Sequence, residues 1–129
     1  MHAVVTPGRG AALLVAGALA GWGLASCGGG SGSEVLPGGQ ASRGRSLVEY
    51  YGCGSCHVIG GVATARGEVG PRLTDYRSSR YIAGNLPNTP QNTARWIAAP
   101  QRFEPGTIMP DLGVSPSQAA DIAAYLAGQ

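Results

Sequence analysis

Two thiols and an imidazole stand together at Cys53-Gly54-Ser55-Cys56-His57. Cysteines at this spacing lie on one helical turn and can add across the two vinyl groups of one haem. A histidine directly after them is then held under the iron as its proximal ligand. Competing chemistries fit less well. A structural zinc ion needs four ligands; Cys53, Cys56 and His57 give three, and no second Cys/His cluster follows. A thioredoxin-like dithiol needs a βαβ setting, whereas the flanks here are glycine-rich loop and helical pattern.

A haem iron held by His57 has a second axial position, and the composition narrows what can fill it. Apart from His57 the only histidine is His2, the chain has no lysine, and after Met1 the only methionine is Met109. Met109 follows Thr107-Ile108 and precedes Pro110, in a Pro/Gly loop that can aim a thioether at the iron. The alternative is a methionine that merely packs, leaving the iron open. His/Met ligation favours Fe(II) and raises the reduction potential.

The elements that must position these groups read as helices. Ala41–Gly52 carries Gly44, Leu47, Val48 and Tyr51 on one face, at i, i+3, i+4 and i+7, and Gly44 would let another helix approach closely. Residues 58–77 show no sustained periodicity and read as loop. Ser78 or Ser79 can cap a short helix ending at Gly84. Thr89 is an N-cap candidate with Pro90 at the first helical position, opening a helix through Trp96 that stops before Pro100. Residues 100–114 read as a loop turning at Pro105-Gly106. Ser115-Pro116-Ser117-Gln118 is a capping box. It opens a last helix with Ala119, Ile122, Ala123 and Leu126 on one face and Gly128 at its end. No alternating strand run or internal repeat is present, so the fold class is all-α.

The amino terminus reads as an address. In residues 1–26, His2 and Arg9 precede an apolar run from Ala11 to Ala25, too short to span a bilayer comfortably. The run ends Leu24-Ala25-Ser26-Cys27, which resembles a bacterial lipobox in which Cys27 receives a diacylglyceryl thioether; the alternatives are an ordinary signal peptide with an incidental cysteine, or an uncleaved anchor. Residues 27–40 are then the lipidated N-terminus and a Gly/Ser-rich flexible linker, spanning about 20 Å r.m.s.. Residues 41–129 form one small domain. All three cysteines thereby have a use and none is left for a disulfide. Export and the haem motif agree, because bacteria attach haem covalently outside the cytoplasm. A domain this small buries a marginal core, so the haem-free chain is expected to be poorly folded.

With 129 residues, 12% charged and a net charge of +2, the chain does not look like a nucleic-acid binder. All nine basic residues are arginine. Cleavage before Cys27 removes Arg9 and leaves eight arginines against seven acids. Two ionised haem propionates would bring such a domain to about −1, which gives no net-charge advantage in finding an acidic partner.

The chain resembles class I cytochromes c, and more closely the cytochrome c domain of subunit II of caa3-type cytochrome oxidases. The resemblance rests on Gly52-Cys53-Gly54-Ser55-Cys56-His57, Gly70-Pro71-Arg72-Leu73-Thr74, Leu86-Pro87-Asn88-Thr89-Pro90, Trp96-Ile97, Pro105-Gly106-Thr107-Ile108-Met109-Pro110 and Ala124-Tyr125-Leu126. The copper-binding pattern of that subunit, C-x-x-x-C-x-x-x-H, does not occur. The resemblance implies one covalently bound haem c inside a small helical fold, with His57 and Met109 as axial ligands. It implies that the Pro71 carbonyl orients the His57 imidazole. It also implies that Gly44 and Val48 cross the final helix near Ala123 and Leu126. Trp96 either reaches a haem propionate through its indole N–H or packs in the core. Arg80 either pairs with a propionate or is a solvated surface arginine.

The function so implied is single-electron transfer in a respiratory chain, by a lipoprotein on the outer face of the cytoplasmic membrane. Its partners would be membrane-bound respiratory complexes, with a haem–copper oxidase as acceptor. The alternative is a five-coordinate haem sensor or peroxidase-like enzyme. That needs Met109 off the iron and polar distal groups, for which Asn85, Asn88 and Asn92 are weak substitutes.

Overall fold

The computed structural model describes residues 39–129. The segment 1–26, Cys27 and the linker up to residue 38 lie outside the described residues. Four α-helices carry the described fold: α1 (Ala41–Tyr50), α2 (Pro90–Ala98), α3 (Pro100–Phe103) and α4 (Pro116–Leu126). A two-stranded antiparallel hairpin, β1 (Tyr81–Ile82) and β2 (Leu86–Pro87), pairs Tyr81 with Pro87 and Ile82 with Leu86.

The crossing of α1 and α4 is the frame. Gly44 and Val48 are the buried residues of α1; Ala119, Asp121, Ile122, Ala123 and Leu126 are those of α4. At Gly44 the two backbones touch: a side-chain carbon built there would run into the Asp121 carbonyl and lie 2.9 Å from Tyr125 Cβ. Helix α2 also packs against α4, contributing buried Thr93, Ala94 and Ile97. Val48, Ile59, Val62, Ile82, Ile97, Val114, Ile122 and Leu126 share one core.

Asp121 is a buried carboxylate in this frame, 3% exposed. Its Oδ1 accepts the backbone N–H of Gln40 at 2.7 Å, and its Oδ2 accepts Arg43 Nε at 2.7 Å. It thus places negative charge at the amino end of α1, where the helix dipole favours it. Tyr51, which caps the end of α1, adds a second tie to α4, its hydroxyl donating to the Gln118 side-chain carbonyl at 2.9 Å.

The capping signals act as their chemistry requires. Thr89 Oγ1 accepts the Asn92 N–H with Pro90 at the first position of α2. Ser115 and Gln118 form the reciprocal capping box of α4.

Three expectations are corrected. First, α1 stops at Tyr50, two residues short of Gly52, because Gly52 sits in the left-handed region at φ 67°. Second, no helix runs from Ser78 to Gly84. The Ser78 hydroxyl donates back to the Asp75 carbonyl at 2.7 Å, closing a 3-10 turn over Tyr76–Ser78. The chain then forms the β1–β2 hairpin, whose tip residues Ala83 and Gly84 lie at φ 46° and φ 75°. Third, residues 100–114 are not all loop, since Pro100–Phe103 makes one helical turn.

Candidate haem site

A cavity of about 480 Å³ opens between the C-terminal end of α1, the loop 52–57, the segment 69–84, α2 and the loop before α4. That volume lies within the range of about 300–1,000 Å³ usual for ligand and cofactor sites. Cys53, Cys56, His57, Pro71, Trp96 and Met109 all line it. The sequence therefore identified groups that the fold brings to one place from positions up to 56 residues apart in the chain.

The His57 side of the cavity is the most constrained. His57 Nδ1 lies 2.7 Å from the Pro71 carbonyl oxygen. A carbonyl can only accept, so Nδ1 carries the proton and Nε2 keeps its lone pair for a metal. The ring is braced from behind by Gly70. A side-chain carbon at that position would lie 2.7 Å from His57 Nδ1 and 2.9 Å from Nε2. The Gly70 N–H also donates to the Cys56 carbonyl at 2.8 Å, tying the 69–71 segment to the motif. Both thiols are free and half-buried. Burial pushes the Cys53 thiol above the ordinary range; a backbone hydrogen bond offsets part of this, and the neighbouring Cys56 adds to the rise.

Met109 reaches the cavity on a loop whose backbone is held by one side chain. The Gln101 amide accepts the Gly106 N–H at 3.0 Å and donates to the carbonyls of Thr107 at 2.8 Å and Met109 at 3.2 Å. Gln101 belongs to α3, and the Arg95 guanidinium of α2 stacks over Phe103 of the same turn at 5.2 Å. The short helix that the sequence did not reveal thus positions the methionine loop.

Tyr76 was also missed. It lines the cavity, is 9% exposed, and shares a hydrogen bond of 2.7 Å with Thr93 Oγ1. Asn88 completes this cluster. Its amide nitrogen donates to the carbonyls of Tyr76 at 2.8 Å and Ser79 at 3.0 Å, and its oxygen accepts from Thr93 at 3.3 Å. Burial raises the Tyr76 phenol, and the Thr93 hydrogen bond offsets part of the rise. A lone aromatic in an aperiodic stretch gave no signal of this role.

Trp96 is half-buried and lines the cavity. Arg80 is exposed and does not line it; its carbonyl instead accepts the Asn88 N–H at 2.9 Å. The arginine in the lining is Arg72. Asn85, Asn88 and Asn92 lie outside the lining as well, and Asn92 commits its amide nitrogen to the Pro87 carbonyl at 2.9 Å.

The donor set suits a covalent haem: two accessible thiols, an imidazole with the correct nitrogen free, a thioether, and walls that are mainly apolar. Comparison with known proteins agrees. The family model for cytochrome c matches residues 41–129, and the chain belongs to that family: it is a class I cytochrome c, a haem electron-transfer protein. It is 39% identical over 70 residues to a protein named cytochrome c oxidase subunit 2 from Alkalihalophilus pseudofirmus. That match covers 54% of this chain and 20% of the relative, so the chain spans about a fifth of that protein's length. No solved structure matches.

Proposed function

We propose that this cytochrome carries single electrons between membrane-bound respiratory enzymes, as a mono-haem lipoprotein anchored through Cys27 and delivering to a haem–copper oxidase. The observation that carries the electron-transfer part is the meeting of His57 and Met109 on one apolar cavity beside both cysteines. Bound haem supplies a one-electron iron couple. Cys53 and Cys56 would hold it covalently, His57 and Met109 would ligate the iron, and the apolar walls would keep water from it. With His57 and Met109 both bound, the iron would have no open position for substrate.

The oxidase as acceptor is supported by the likeness to an oxidase subunit. Anchoring on the outer face of the cytoplasmic membrane is supported by the lipobox-like Leu24-Ala25-Ser26-Cys27. A tether raises the effective concentration near membrane complexes, which suits a domain without a strong net charge.

Two experiments test this reading. Met109→Ala should keep covalent haem, lower the potential and let the ferrous form bind carbon monoxide readily. A wild type that binds carbon monoxide as readily as the variant would sink six-coordinate electron transfer in favour of a sensor or peroxidase-like role. Cys27→Ala should release the protein from the membrane or stall its processing with its haem spectrum intact. A Cys27→Ala protein that remains on the membrane after signal cleavage would refute lipid anchoring.

A further inference from the structure

We infer that Gln101 is the positioning residue that keeps Met109 on the iron, acting through the backbone of the methionine loop; the inference rests on Met109 being the sixth ligand. Gln101 does not line the cavity, so it acts at one remove. Both ends of its amide engage the loop. Oε1 accepts from Gly106, and Nε2 donates both to Thr107 and to Met109 itself. The loop has few other restraints: Thr107 N–H to the Glu104 carbonyl at 3.0 Å, and Met109 N–H to Thr107 Oγ1 at a long 3.4 Å. Glu104, Pro105, Gly106, Ile108 and Pro110 are exposed, so no packed side chain at those positions fixes the path.

The pattern requires an amide at this length. One acceptor meets an N–H and two donors meet carbonyls, which also fixes the amide's orientation. Glutamate would match glutamine in shape and still accept from Gly106, but would turn an oxygen toward two carbonyls. Asparagine would be one methylene short. The α3 turn holds the base of the side chain, since Pro100 at its start is fully buried and Phe103 lies under Arg95.

The functional consequence is ligand retention. A loop that breathes would let the thioether leave, and small ligands would compete for the iron. Gln101 thus helps make the protein an electron carrier rather than a ligand-binding haem protein.

The test uses the holoprotein and four variants: Gln101→Ala, Gln101→Glu, Met109→Ala and, as control on the same turn, the exposed Arg102→Ala. Carbon monoxide binding to the ferrous form, imidazole binding to the ferric form and the midpoint potential are measured for each. Both Gln101 variants should bind faster than wild type, moving toward Met109→Ala, with a lower potential; Arg102→Ala should match wild type. Gln101 variants that bind both ligands as slowly as wild type and keep its potential would overturn the inference. So would equal loosening by Arg102→Ala. Hydrogen exchange at the Gly106 amide separates the two readings. If wild type already binds like Met109→Ala, the ligand assignment has failed and the inference falls with it. A fast Gly106 amide in Gln101→Ala would then show that Gln101 still holds the loop.

Discussion

Gly44→Ala is the smallest change that probes the frame of the haem site. On an exposed helix the substitution would stabilise by about 0.8–1 kcal/mol, since alanine restrains the unfolded chain and favours the helix. Here the new methyl would enter the Asp121 carbonyl. Overpacking costs about 1–3 kcal/mol. The upper part of that range applies because the obstruction is backbone, which cannot rotate away as a side chain can. The net expectation is a loss of about 1–2 kcal/mol, and so a fall in Tm of about 5–15 °C for a domain of this size. The assay is thermal unfolding of the holoprotein, with Ser46→Ala at an exposed position of α1 as the propensity control. A Gly44→Ala protein with unchanged or raised Tm would refute backbone contact at the crossing.

Gly70→Ala should displace the imidazole, because the added carbon meets the His57 ring; it should weaken proximal ligation, read in the haem absorption spectrum and as a shifted potential. An unaltered spectrum and potential would mean that the ring is not braced there. Tyr76 predicts an alkaline effect. Its phenol is raised in the fold, so the neutral form is favoured, and its contribution is complete below about pH 10 and is lost as pH rises through the folded value. Tyr76→Phe should therefore lose less stability than wild type between about pH 10 and the folded value, measured by denaturant unfolding at several pH values. Parallel curves for the two proteins would contradict it.

What the sequence made legible was local chemistry. Thr89-Pro90 and Ser115-Pro116-Ser117-Gln118 announce helix starts because their side chains bond amides two or three residues on, a contact written in the spacing. The cysteines, histidine and methionine that meet on the cavity were legible for a related reason: their types are scarce, and counting histidine, lysine and methionine left few choices. What stayed hidden depends on contacts across the chain. Ala83 in a left-handed conformation has no sequence signal, so the stretch up to Gly84 reads as a short helix although it forms the first strand and tip of the hairpin. The single turn at Pro100 is too short for periodicity, and its purpose shows only when Gln101 is seen against the backbone of residues 106–109. Arg80 as a propionate partner rests on resemblance alone, and the path of the 72–80 segment puts Arg72 in the lining while Arg80 is exposed outside it.

The contacts of Asp121 with Gln40 and Arg43 join residues 78 and 81 positions apart. The frame is thus closed by the two ends of the domain. Bringing residues so far apart together costs loop-closure entropy, and contacts of such separation form slowly. Until the last eleven-residue helix docks, α1 lacks the partner against which Gly44 and Val48 are buried. Loss of that helix would free the start of the domain as well as its end.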